Sequence, residues 1–85
     1  MLNMNKNQKD NEILTTPMGA VMINTDIGTP VEIIGVNKDV NGKDIPTEHE
    51  FPFCIGQKLK NGNYLILAGE GRILEIKLEN LRNIK

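Results

Sequence analysis

From Ile13 onward the chain is a series of short apolar runs, broken every few residues by glycine, proline or an Asn-Gly pair. That interval points to antiparallel β-structure, because it is too short for helices and matches strands joined by tight turns. The runs are Ala20–Asn24 (AVMIN), Val31–Val36 (VEIIGV), Phe53–Leu59 (FCIGQKL), Asn63–Ala68 (NYLILA) and Arg72–Leu78 (RILEIKL). No window of about eleven residues carries an apolar stripe at 3.6-residue spacing, which argues against a long helix. Between the runs, Asn41-Gly42 and Asn61-Gly62 are pairs that tolerate the positive φ of tight hairpins. Gly69-Glu70-Gly71 is a third turn, with two glycines free of the Cβ penalty.

The alternation inside Arg72–Leu78 predicts its two faces. Leu74, Ile76 and Leu78 share one and belong in a core, while Glu75 and Lys77 share the other and belong in water. In Asn63–Ala68, Leu65, Ile66 and Leu67 run together, as in a strand covered on both sides or placed where a barrel closes.

Bulk properties narrow the setting. A chain of 85 residues has room for one small domain near the lower limit of independent folding. Residues 1–12 are polar, lack periodicity and hold too few apolar groups to offset chain entropy, so they are expected to form a disordered tail ahead of a domain over 13–85. The net charge is −1, which argues against a general nucleic-acid binder, since such proteins neutralise phosphates with Lys and Arg. A single cysteine, Cys54, permits no internal disulfide and fits a reducing compartment. No segment approaches the roughly 20 apolar residues needed to span a bilayer, and the N-terminus lacks the apolar core of a signal peptide. The expectation is a cytoplasmic protein without a membrane partner. The frequency of asparagine fits an AT-rich bacterial or phage genome.

The closing stretch, GEGRILEIKLENLRNIK (Gly69–Lys85), carries a more specific likeness. After the alternating strand, Leu78-Glu79-Asn80-Leu81 sets two leucines three apart, as in one 3₁₀ turn burying both. Arg82–Lys85 then reads as a short last strand with Ile84 inward. Strand, glycine hairpin, strand, 3₁₀ turn and short final strand together resemble the end of the Src-homology-type (SH3-like) small β-barrel. The likeness is firm over residues 53–85 and loose over 18–36. It implies an all-β, five-stranded SH3-like small barrel. Members of that superfold that bind polyproline use a platform of several aromatics. Here the aromatics are Phe51, Phe53 and Tyr64, with no tryptophan, so that activity is not carried over. The helical insertion of the barrels associated with ferrous-iron transport is also missing from the sequence.

Several constellations are candidates for chemistry. Asn37–Glu48 (NKDVNGKDIPTE) places oxygen side chains at Asn37, Asp39 and Asn41, a glycine at Gly42 and a glutamate at Glu48, close to the spacing of a calcium loop. Against a cation stand the neutral Asn37, the charged Asp44 where an apolar residue is usual, and Pro46 in the exit segment. The plainer reading is a β-hairpin turning at Asn41-Gly42, whose two-residue loop would oppose Asp39 to Asp44. His49 and Cys54 are too few for a structural zinc site, which takes four ligands. As a catalytic pair they lack an orienting group. Phe51-Pro52-Phe53 puts two rings around a proline beside Glu48 and Glu50. The rings read either as a plug for one end of the core or as a partner-binding anchor together with Tyr64. Gly69-Glu70-Gly71-Arg72 is a turn and not a phosphate cradle, because no helix follows it.

With no acid–base pair, triad or cofactor fingerprint in the sequence, the reading is a non-catalytic protein–protein interaction or adaptor module that needs no cofactor. Its partner would be another protein, or a second copy meeting it at a sheet edge. Two alternatives are an oligomer binding a small molecule or nucleotide between protomers, and a weak nucleic-acid binder using Lys58, Lys60, Arg72 and Lys77.

Overall fold

The computed structural model describes residues 11–16 and 19–84. The described residues are all-β: seven strands in two antiparallel sheets, with one 3₁₀ turn. Strands β1 (Asn11–Thr16) and β2 (Gly19–Asn24) pair in register from Asn11↔Asn24 to Thr16↔Gly19. Asn11 and Glu12, expected in the tail, are therefore paired residues, and the remainder of that segment lies outside the described residues. The second sheet contains β3 (Pro30–Ile33), β4 (Phe53–Lys58), β5 (Tyr64–Leu67), β6 (Ile73–Ile76) and β7 (Leu81–Asn83), in the order β6-β5-β4-β3-β7. The 3₁₀ turn, Leu78–Asn80, joins β6 to β7 where the leucine spacing places it.

One face of the five-stranded sheet makes the core. Val31, Phe53, Ile55, Tyr64, Ile66, Leu74, Ile76 and Leu81 are buried there, and Ile33, Ile45 and Leu78 pack against them. Burying each such side chain contributes about 1.5–3 kcal/mol. The alternation works as expected in β6, where Leu74 and Ile76 face inward and Glu75 lies between them. In β5 the apolar run divides, with Ile66 buried and Leu67 on the outer face. At the other end, Leu81 is the buried leucine and Ile84 is 42 % exposed, contrary to the inward placement expected for it. The 3₁₀ turn delivers Leu81 inward, so the residues at odd spacing from it, Arg82 and Ile84, point out.

Gly56 is required by close packing. The ladder between β4 and β5 shifts at Ile55/Gln57, and a Cβ on Gly56 would meet the Leu65 carbonyl oxygen and the Leu67 side chain, each at 3.1 Å. A bulge of this kind bends and twists the strand that carries it.

The Asn-Gly turns hold three residues and not two. Asp39 N–H donates to the Lys43 carbonyl (2.8 Å) and Gly42 N–H to that of Asp39 (3.0 Å), with Gly42 at φ 85°. Leu59, Gly62 and Asn63 repeat the pattern. This is the three-residue hairpin with a left-handed glycine in its last position. The longer loop moves the register by one, so Lys38 faces Asp44 and forms an ion pair with it. The like-charge opposition of Asp39 and Asp44 does not arise.

The five-stranded sheet is open, which corrects the expectation of a closed barrel. β6 and β7 are its two edges. The Lys38–Asp44 hairpin occupies the outer side of β6: Val40 N–H donates to the Glu75 carbonyl at 3.0 Å, and Glu75 N–H donates to Asp39 Oδ2 at 3.0 Å. A closing strand would need those same backbone groups. At the opposite edge the Asn83 side chain stands in for a peptide unit. Its Oδ1 accepts from Asn24 N–H (2.8 Å) and its Nδ2 donates to the Asn24 carbonyl (2.9 Å), tying the end of β2 to β7. An ion pair from Lys58 to Glu12 (3.0 Å) adds a second tie between the sheets.

Candidate functional site

Asp39, the central residue of the calcium-like loop, is 7 % exposed and turned toward protein. Oδ1 accepts from Asn41 N–H (2.9 Å) and Lys43 N–H (2.8 Å), and Oδ2 from Glu75 N–H. Burial pushes its carboxyl up, but these three amide bonds and the nearby Lys43 charge outweigh it and hold the group below the ordinary carboxylate range. Glu75 is also held low, first by the Asn63 side-chain amide at 2.8 Å, then by Asn61 at 3.1 Å. Asn37, Asp39 and Glu48 line three different clefts. Among the described residues no group of three or more His, Cys, Asp or Glu side chains stands where it could hold a metal ion.

The three aromatics take different positions. Phe53 and Tyr64 are core residues at 5 % and 1 % exposure, whereas Phe51 is 70 % exposed. Of the two rings beside Pro52, one is buried while the other enters solvent. The His49 ring stacks on Phe53, with centroids 4.1 Å apart and planes at 23°, and His49 Nδ1 donates to the Phe51 carbonyl oxygen at 2.6 Å. Tyr64 Oη is buried without a hydrogen-bond partner among the described residues. An unmet hydroxyl costs free energy, so Tyr64→Phe should leave chemical-denaturation stability unchanged or raise it by about 1–2 kcal/mol. A loss above that range would mean that the hydroxyl has a partner.

A groove of about 450 Å³ opens between the outer part of β3, the chain after β7 and the loop 34–52. Its apolar wall comes from Val31, Ile33, Val36, Ile45, Phe53 and Ile84, with Pro46 and Pro52 at the margins. Glu32, Asn37, Thr47 and His49 supply its polar rim. Of these, sequence reasoning singled out Phe53, His49 and, as a metal ligand, Asn37. Val36 and Ile84 were read as strand residues, and Ile45 only as an apolar residue within the loop. Such a wall assembled from three separated segments leaves no local pattern.

Cys54 is half-buried in β4, between Pro30 and Leu67 in the ladder. Of the basic residues considered for nucleic acid, Lys58 pairs with Glu12, and Arg72 donates to the Gly69 and Ala68 carbonyls while lying 3.6 Å from Glu70. Lys60 and Lys77 are exposed. Among the described residues no helix is long and apolar enough to cross a membrane. Compared with protein families, with characterised proteins and with solved structures, the chain matches none of them.

Proposed function

We propose that this chain is a non-catalytic protein–protein interaction module of the SH3-like small-barrel type in an open form. The fold part is supported by the order of elements: β5, a glycine turn, β6, the 3₁₀ turn and β7, with the long loop 34–52 between β3 and β4. The observation that carries the function is the apolar groove beside an exposed Phe51 ring. Apolar walls with a polar rim are what a docked side chain requires, and a rigid aromatic next to them is a common anchor. Clefts of a few hundred Å³ also suit small ligands, but this one lies beside the loop that carries the exposed ring.

Phe51→Ala tests the reading. Native-host lysate passed over the immobilised full chain should yield one stoichiometric partner that survives nuclease, and the substitution should weaken its capture at least about tenfold, as for a hot-spot residue. Melting should not change, because Phe51 touches little of the core. Equal capture by both forms, or no partner at all, would reject the module.

A further inference from the structure

The apolar groove has a neighbour. A second cleft, of about 520 Å³, lies between the loop and the β5–β6 turn, and His49 lines both. Its walls carry Glu48, Glu50, Phe51 and Glu70, and the cation among them is Arg72. Arg72 is already committed, through Nε and Nη2, to the Gly69 and Ala68 carbonyls and lies near Glu70. Among the described residues Glu48 and Glu50 make neither an ion pair nor a hydrogen bond, and both are exposed. The loop tip therefore presents two exposed carboxylates flanking His49, next to an apolar trough, in a cleft that Phe51 also lines.

We propose that the two clefts together seat one extended segment of a partner protein, with an apolar side chain in the groove and lysine or arginine side chains over Glu48 and Glu50. The proposal rests on the interaction-module reading and specifies the partner's chemistry. The charge pattern decides among occupants: an acidic segment, a nucleic acid or an anionic lipid surface would meet Glu48 and Glu50 with like charge, and a purely apolar segment would leave the second cleft unused. Such exposed carboxylates steer encounter and select against wrong partners more than they add affinity, and salt weakens their effect. The apolar anchor supplies most of the binding and the rim supplies the preference.

The test is a phage-displayed library of random twelve-residue peptides panned on the full chain, followed by fluorescence anisotropy with the leading synthetic peptide. Enriched sequences should combine an aliphatic or aromatic residue with Lys or Arg. Val36→Asp, at an exposed position on the groove wall, should reduce binding more than about twentyfold. The double variant Glu48→Gln/Glu50→Gln should weaken it roughly 5- to 20-fold at low salt and flatten its salt dependence. Both variants should melt as the parent does. Peptides without basic residues, or binding that Val36→Asp blocks and the glutamine variant leaves unchanged, would overturn the basic-partner proposal while the module reading stands. A library that yields no binders, or binders indifferent to Val36→Asp, would remove both.

Discussion

Replacing Asp39 with alanine is expected to remove about 3 kcal/mol of stability in urea denaturation at neutral pH, because three backbone N–H groups lose a charged acceptor in a nearly dry position. Two of those donors hold the turn itself and the third belongs to Glu75 in β6, so the loss covers both the hairpin and its attachment to the sheet. Asp39→Asn should fall between the two, since its amide keeps one acceptor oxygen but turns an NH2 toward a donor. The pH dependence has a definite sign. A carboxyl held low in the native state binds fewer protons there than in the unfolded chain, so its contribution is fully present above the unfolded value of about 4 and is lost as pH falls through the folded one. The parent should therefore lose stability below about pH 4, and the Asp39→Ala variant should show a shallower acid limb. Glu75, also held low by its asparagine neighbours, adds to the parent's slope in the same direction. If Asp39→Ala melted and titrated like the parent, the carboxylate would not be holding the loop.

Ile66→Ala should cost about 2–5 kcal/mol, the range for a large aliphatic residue removed from a core that relaxes only partly. Ile66 is fully buried and sits in the ladder between Ile55 and Leu74, so its loss opens a void at the centre of the sheet's inner face. For a domain of this size that corresponds to a fall in melting temperature of roughly 10 °C or more. Leu67→Ala, one residue on and 42 % exposed, serves as the control and should cost less than about 1 kcal/mol. Similar costs at the two positions would mean that the inner and outer faces of β5 are misassigned.

Much of the fold was legible because its determinants are local. The runs beginning at Ala20, Val31, Phe53, Asn63 and Arg72 each became a strand, and the paired leucines placed the 3₁₀ turn. β1 was not read as a strand, because its start merges with a polar segment. In the β1–β2 ribbon, moreover, the facing pair Ile13 and Met22 is exposed, so burial imposes no contrast on the pattern. The hairpin's loop length, which decides whether Asp39 faces Asp44, depends on backbone dihedrals that Asn-Gly permits in more than one form.

The candidate site was less legible. Asp39 was visible as an oxygen donor in a loop, but the amide it holds on β6 lies 36 residues away. Asn83 and Asn24, 59 residues apart, look like two more members of an asparagine-rich composition until the fold brings them together. The rings of Phe51 and Phe53 were read as a pair, and only the chain's path past Pro52 separates them into a surface residue and a core residue. Groove walls drawn from three segments cannot be read from any one of them.

The way the sheet ends has a consequence for the protein's behaviour in crowded or acidic solution. A sheet with unpaired margins is a template for the addition of further strands from other molecules. Here the Lys38–Asp44 hairpin, through Val40 N–H and the Asp39 carboxylate, occupies part of the β6 margin, and the Asn83 carboxamide occupies part of the β7 margin. Asp39 is the titratable member of these edge contacts. Acid that protonates Asp39 weakens its hold on the Glu75 amide, so the β6 margin is where low-pH polymerisation of this chain is expected to begin.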